Sequence, residues 1–233
     1  MKAILLAAGR GTRLAPLTDS IPKILAPFGG RPLLEHQLEY LLGSGVTEIA
    51  INVHHHSDQV LACVEGLSLD VPVRISNEPQ LLGTAGALLP LADFVTEPVI
   101  VLYGDVVTNA NLAELMDEHR HHDPLATLTV YASAETEGKG VCLVDDSGRI
   151  IAFTEKPDGA SGEALINAGL YIVSPRVLDL LAPGESDFGR DVWPAALAAG
   201  EALRASVLDA YVRDIGSPAA LAGAAKDLAA GTL

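Results

Sequence analysis

Cysteine is nearly absent from this 233-residue chain, which contains only Cys63 and Cys142. Two cysteines cannot build a disulfide framework, and no Cys/His spacing resembles a zinc site, so a reducing, cytoplasmic setting is expected. Long hydrophobic runs are missing as well. Hydrophobic residues make up 49% of the chain, yet no stretch approaches the roughly 18 apolar residues that a membrane-spanning helix needs. The run from Ala3 to Ala8 leads into Gly-Arg-Gly-Thr-Arg rather than a cleavage site, and reads as a buried first strand. Internal repeats, low-complexity tracts and linkers are lacking, so one domain over residues 1–233 is the expectation.

Basic residues are scarce: 15 Lys and Arg stand against 30 Asp and Glu, a formal charge of −15. That balance disfavours nucleic acid or an anionic membrane as partner, because both require a surplus of cations. Four of the 15 basic residues, Arg10, Arg13, Lys23 and Arg31, nevertheless fall in one short stretch. If the substrates are polyanions, positive charge must be concentrated at the site and supplemented by a divalent cation.

What the sequence does contain is an alternation of apolar runs and helical patterns. Strands are expected at Ala3–Ala8, Glu48–Val53, Val73–Ser76, Val99–Leu102, Ala126–Tyr131, Gly140–Val144, Ile150–Thr154, Ala168–Ile172 and Ala205–Leu208. Helices are expected at Leu33–Ser44, Ser57–Glu65, Arg176–Leu181, Asp191–Ala199 and Pro218–Ala230. The order implies an α/β fold, a Rossmann-like three-layer sandwich with a mixed, mostly parallel central sheet. Sheets of this kind bind ligands beyond the carboxyl ends of their strands, so residues just after strands carry the functional interest.

The segment after the first strand runs Leu6-Ala7-Ala8-Gly9-Arg10-Gly11-Thr12-Arg13-Leu14-Ala15-Pro16-Leu17-Thr18, followed by Pro22-Lys23. Its glycines permit close backbone approach to phosphate, and Arg13 and Lys23 add mobile positive charge. It is not a Walker A loop, which needs Gly-Lys-Ser/Thr, nor a Rossmann fingerprint, which needs a third glycine before a helix.

Taken whole, this run resembles the signature of the sugar-phosphate nucleotidyltransferase family. Later segments continue the likeness in the family's order: Leu82-Gly83-Thr84-Ala85-Gly86, Tyr103-Gly104-Asp105, Phe153-Thr154-Glu155-Lys156-Pro157, Asn167-Ala168-Gly169 and Asp214-Ile215-Gly216-Ser217-Pro218. The resemblance implies an enzyme that joins a nucleoside triphosphate to a sugar 1-phosphate and releases pyrophosphate. It implies a nucleotide site formed by Leu6, Ala7, Ala8, Gly9, Gly11, Thr12 and Arg13 together with Glu78, Gly83 and Thr84. Arg13, Lys23 and Asp105 would be catalytic, with Lys23 holding the sugar phosphate. Asp105 and Asp214 would hold Mg²⁺. Gly140, Glu155, Lys156, Asn167 and Gly169 would line the sugar-phosphate pocket. The nucleophile is a phosphate oxygen that is already ionised, so catalysis rests on positioning and charge stabilisation rather than on a general base.

Base choice is expected to depend on the residue five positions before Gly83. Pyrimidine-using relatives tend to carry glutamine there, whereas this chain has Glu78. A carboxylate only accepts, which suits the two adjacent donors of guanine, and favours GTP. The short guanylyltransferases acting on mannose or heptose 1-phosphate are similar in this region. Ala7-Ala8-Gly9 is common in uridylyltransferases and keeps UTP with an amino-sugar 1-phosphate as the alternative.

Val212 stands where many relatives place an aromatic residue. The chain ends soon after the last helical pattern, so the hexapeptide-repeat domain of longer relatives is not expected, and either a monomer or a homodimer is compatible. A non-catalytic nucleotide-sugar sensor would be expected to lose Arg13, Lys23, Asp105 or Asp214, all of which are kept. A glycosyltransferase would carry a second aspartate after Asp105, where Val106 and Val107 stand. His54-His55-His56 and His119, His121 and His122 lack a third-ligand pattern and are read as structural or solvated.

Overall fold

The computed structural model describes residues 1–155 and 162–233. In chain order it opens with β1 (Lys2–Leu6), β2 (Pro27–Phe28), β3 (Arg31–Pro32), α1 (Leu33–Gly43), β4 (Glu48–Val53), α2 (Ser57–Gly66) and β5 (Val73–Asn77). There follow α3 (Gly83–Gly86), β6 (Val99–Tyr103), β7 (Val106–Thr108), α4 (Leu112–His122), β8 (Ala126–Ser133), β9 (Gly140–Val144) and β10 (Ile150–Glu155). The chain continues through β11 (Ala164–Val173), α5 (Trp193–Ala198), β12 (Leu203–Val207), β13 (Val212–Asp214) and α6 (Pro218–Ala229). The fold is α/β with a mixed central sheet, as the alternation of patterns implies.

Contacts divide the chain into two compact units. Unit 1 comprises Met1–Leu81, Leu102–Ala110 and Ala210–Leu233, and unit 2 comprises Leu82–Val101 and Asn111–Asp209. In unit 1, β1, β4 and β5 are parallel neighbours, with Leu6 opposite Asn52 and Asn52 opposite Ser76. Parallel strands of this kind are buried on both faces and therefore read as continuous apolar runs. Ile4, Leu5, Ile49 and Ile51 are fully buried here. Helix α1 starts directly after Pro32 and buries Leu33, Leu34, Gln37, Leu38 and Leu41, a stripe at three- and four-residue spacing. Gln37 is the one polar member of that stripe.

In unit 2, β8 pairs in parallel with β12 and antiparallel with β11, while β9 and β10 form an antiparallel hairpin. β11 also pairs with β9. Its ladder with β8 shifts register between Asn167 and Tyr171, a bulge that Gly169 permits by adopting φ 73°. Tyr171, Phe188 and Trp193 form one aromatic cluster, with Phe188 stacked on Trp193 at a centroid distance of 4.8 Å.

Several boundaries differ from expectation for identifiable reasons. The helix expected at Arg176–Leu181 is a 3₁₀ segment at Pro175–Leu180. The one expected at Asp191–Ala199 begins as a π turn at Phe188–Val192 and becomes α only from Trp193 to Ala198. The Asp187 carboxylate, accepting from the Gly189 and Arg190 N–H groups, sets that earlier start. The strand expected at Ala168–Ile172 runs from Ala164 to Val173, because a bulge lets a strand pass through Gly169. β7 and β13 are three residues each, too short for a periodic signal, and exist by pairing with each other.

His119 on α4 is fully buried in unit 2, and its Nδ1 lies 3.0 Å from Thr127 Oγ1. Its Nε2 has no hydrogen-bond partner among the described residues. Burial pulls its pKa down to about 4. The unfolded chain takes up this proton near pH 6.5, while the folded one does so only near pH 4. Stability from this group is therefore lost as pH falls across that window, by roughly 3 kcal/mol, and levels off below it. Urea midpoints at pH 7 and pH 4.5 should differ more for the native chain than for His119→Gln, and equal differences would refute the assignment.

Candidate functional site

In unit 1 the loop after β1 leaves a row of backbone donors open. The N–H groups of Ala8, Gly9, Arg10, Gly11 and Thr12 have no acceptor among the described residues. Successive unclaimed N–H groups at a strand end form a concave cradle for phosphate oxygens. The cradle is anchored at both ends. Ala7 donates its N–H to Asn52 Oδ1 at 2.8 Å, and Thr18 Oγ1 donates to the Gly11 carbonyl at 2.9 Å. Gly11 has φ 64°, and a Cβ there would lie 2.9 Å from Lys23 Cβ and 3.0 Å from Thr18 Cγ2. Only glycine satisfies both the left-handed backbone and the close approach. A cavity of about 460 Å³ beside this loop is lined by Arg10, Thr12, Thr18, Asp19, His54 and His55.

Two cation–carboxylate pairs stand in the same unit. Lys23 Nζ, presented by a 3₁₀ turn at Lys23–Leu25, is bonded to Asp105 Oδ2, and both side chains are largely buried. Arg13 NH2 lies 3.7 Å from Asp214 Oδ2, with both side chains exposed. Gly216 makes room for that contact, since a Cβ there would fall 2.4 Å from Arg13 NH2. Asp214 Oδ1 accepts from the Gly216 N–H at 2.6 Å.

The two aspartates are brought together by the β7–β13 ladder, in which Asp214 faces Val106 and the Ile215 N–H donates to the Asp105 carbonyl at 2.8 Å. The neighbouring Arg213 pairs with Asp227 of α6 at 2.9 Å, and the Tyr211 hydroxyl donates to the same carboxylate at 2.8 Å. These contacts tie β13 to the last helix. Among the described residues there is no group of three or more His, Cys, Asp or Glu that could hold a metal ion. Two carboxylates, one in the turn before β7 and one at the end of β13, do fit Mg²⁺, which is held by one or two carboxylates and completes its shell with phosphate oxygens and water.

Glu78 lies at the end of β5 and is 2% exposed. Its Oε1 accepts from Asn52 Nδ2 at 2.8 Å, while Asn52 Oδ1 receives the Ala7 N–H. Glu78 therefore braces the loop after β1 through Asn52, and its carboxylate is oriented by that bond. The His54 Nδ1 contacts the Glu78 carbonyl at 2.7 Å, which fixes the imidazole against the same strand end.

Unit 2 brings together a second set of predicted residues. Gly140 opens β9 directly opposite Glu155 at the end of β10. A Cβ on Gly140 would lie 2.7 Å from Phe153 Cζ, 3.0 Å from Glu155 Oε2 and 3.4 Å from Asn167 Cβ. One on Gly189 would lie 2.4 Å from Glu155 Oε2. The Glu155 carboxylate thus occupies a slot between two glycines. Asn167 Nδ2 donates to the Tyr171 hydroxyl at 2.6 Å, and its Oδ1 accepts from the Gly169 N–H at 3.2 Å. Lys156 lies outside the described residues.

Gly83 and Thr84 also lie in unit 2 and serve a local lock. Gly83 has φ 75°, and a Cβ there would collide with the Ser186 carbonyl at 2.3 Å. The N–H groups of Ala85 and Gly86 donate to that carbonyl, and the Ser186 N–H donates to the Leu82 carbonyl. Thr84 Oγ1 donates to Asp187 Oδ2 at 2.7 Å and accepts from the Phe188 N–H at 2.9 Å. Asp187, Gly189 and Asn52 were not legible as site residues. The signal was present only for Asn52, a polar residue inside an apolar strand run. Burial pushes the Cys142 thiol up to about 12 and also raises that of Cys63.

The chain matches the model of the nucleotidyl transferase family over residues 2–231. It is 36% identical over 225 residues to mannose-1-phosphate guanylyltransferase 1 of Arabidopsis thaliana, and 37% identical over 224 residues to mannose-1-phosphate guanyltransferase beta-A of Xenopus laevis. Each match covers 94% of this chain and 62% of the relative, so the chain spans about three fifths of their length. In fold it is similar to HddC from Yersinia pseudotuberculosis complexed with GMP-PN, with a TM-score of 0.84 at 24% identity, covering 97% of this chain and 99% of that one.

The lock around Thr84 is directly testable. Asp187→Ala removes the hydroxyl's acceptor and two N-cap bonds, and should lower unfolding stability by about 1–3 kcal/mol. Asp187→Asn, which keeps an acceptor, should lose less than half of that in the same denaturant titration.

Proposed function

Because the chain belongs to the nucleotidyl transferase family, we propose that it transfers a nucleoside monophosphate from a nucleoside triphosphate, preferably GTP, to a sugar 1-phosphate. The observation that carries this reading is the five-residue N–H cradle from Ala8 to Thr12 in the same unit as the Lys23–Asp105 and Arg13–Asp214 pairs. A cradle of neutral donors binds phosphate without needing net positive charge, which suits a chain of charge −15.

Asp105 and Asp214 would hold Mg²⁺, which supplies charge neutralisation at the triphosphate. Lys23 and Arg13 each exchange a carboxylate for a phosphate oxygen when substrate enters. Lys23, the more buried of the two cations, carries the sugar phosphate, and Arg13 stabilises the charge that accumulates on the departing pyrophosphate. A sugar-phosphate oxygen forms the new bond to the α-phosphorus as the bond from that phosphorus to the β-phosphate bridging oxygen breaks. The electron pair leaves with pyrophosphate, and no proton has to move. Gly140, Glu155, Asn167 and Gly169 line the sugar site, with Glu155 accepting from ring hydroxyls and the glycines leaving space for the ring.

The preference for GTP is supported by the names of the relatives, which are guanylyltransferases acting on mannose 1-phosphate. Mannose 1-phosphate is accordingly the proposed acceptor.

Pyrophosphate release should be measured with each of the four common ribonucleoside triphosphates against mannose, glucose, N-acetylglucosamine and heptose 1-phosphates. GTP with mannose 1-phosphate should give the highest kcat/KM, and a clear preference for UTP would remove the base assignment. Asp105→Ala and Asp214→Ala should each lower kcat by about 10³-fold or more while the chain remains folded by circular dichroism. Near-normal turnover by either variant would refute the metal role.

A further inference from the structure

Gln37 is 3% exposed and sits in the middle of the apolar face of α1. Its Nε2 donates to two backbone carbonyls, that of Gly104 at 3.1 Å and that of Val106 at 2.7 Å. These are the residues on either side of Asp105. The amide orientation is not ambiguous, because turning it over would press its own oxygen against both carbonyls. Both protons of one amide nitrogen are therefore spent on the two peptide groups that flank a single carboxylate.

The rest of the turn is held as tightly. The Gly104 N–H donates to the Leu6 carbonyl at 2.8 Å, and the Ile215 N–H donates to the Asp105 carbonyl. A Cβ on Gly104 would lie 2.7 Å from the Leu6 carbonyl oxygen and 2.9 Å from Ile24 Cδ1, so only glycine lets residue 104 approach β1 this closely. Three consecutive carbonyls, at 104, 105 and 106, all accept hydrogen bonds, and two of the three bonds come from Gln37. No other side chain among the described residues bridges both sides of Asp105.

We infer that Gln37 is a positioning residue that fixes the direction of the Asp105 carboxylate and so sets the affinity of the divalent-cation site. The inference rests on the reading of Asp105 as a metal ligand. Loss of a group that holds a ligating side chain in place typically costs 10–100-fold in metal affinity or activity, and Gln37 acts one step further out, on the peptide groups from which that side chain projects. Gln37 contacts no phosphate or sugar group in this role. Its loss should appear in the cation dependence and in kcat rather than in the KM for sugar 1-phosphate.

The test uses the whole chain with Gln37→Met, which keeps the length but removes both donors. Mn²⁺ bound to protein at fixed GTP, without sugar 1-phosphate, is read by water-proton relaxation enhancement. Gln37→Met should raise the half-saturating Mn²⁺ concentration by about tenfold or more. In turnover assays its kcat should fall about as far, with the KM for sugar 1-phosphate unchanged within about twofold. Gln37→Glu provides a second readout if the first variant folds poorly. Protonated, its carboxyl group can still donate once, whereas ionised it repels both carbonyls, so Mn²⁺ binding should weaken with rising pH in this variant and not in the native chain.

Native-like Mn²⁺ binding by Gln37→Met, or a native pH profile for Gln37→Glu, overturns the inference. Asp105→Asn separates the two levels of the claim. If it abolishes Mn²⁺ binding while Gln37→Met does not, only the positioning role falls. If Asp105→Asn binds Mn²⁺ normally, the metal assignment falls and the role of Gln37 falls with it.

Discussion

The peptide turn that carries Asp105 is the constraint around which unit 1 is arranged. A turn at a strand end normally leaves carbonyls pointing at water, and its side chain wanders with it. Here the carbonyls of Gly104, Asp105 and Val106 are claimed by α1 and by the segment after β13, while the Gly104 N–H reaches back to β1. A strand, a helix and a chain segment more than 100 residues away therefore agree on the position of one carboxylate. Such over-determination holds a charged group in place without the cost of burying it fully.

Charge is managed by the same economy of means. With an excess of acidic residues, an open site holding only lysine and arginine would have to compete with carboxylates everywhere on the surface. Instead Lys23 and Arg13 are already paired with Asp105 and Asp214, and the same unit holds a row of open backbone N–H groups. Backbone donors contribute partial positive charge that no composition count reveals. An acidic balance is compatible with a polyanionic ligand for that reason.

Sequence reading went furthest where a residue type is required by backbone geometry. Gly11 and Gly169 could be singled out because one stands shortly after a strand pattern and the other within one, and both have positive φ. The strands Glu48–Val53 and Gly140–Val144 have the boundaries their apolar runs suggest. It went less far where a polar residue acts through a remote partner. Thr84 reads as a residue of a nucleotide loop, yet its hydroxyl is bound to Asp187, 103 positions later. Glu78 reads as a group facing a base, yet one of its oxygens is held by Asn52. Hydrogen-bond partners at such separations leave no periodic trace in a single chain.

By itself the sequence determined the α/β class, the Gly-rich loop after the first strand and the placement of charged residues at strand ends, because these follow from local pattern: period, glycine placement and strand-end position. Tertiary structure decided which of those residues meet. It paired Lys23 with Asp105 and Arg13 with Asp214, turned Glu78 inward to Asn52, seated Glu155 between Gly140 and Gly189, and set Gln37 across the turn of Asp105. The physical reason is one of range. Local pattern fixes what a backbone does over a few residues, whereas the direction of a buried hydrogen bond depends on which distant segments close packing brings within 3 Å.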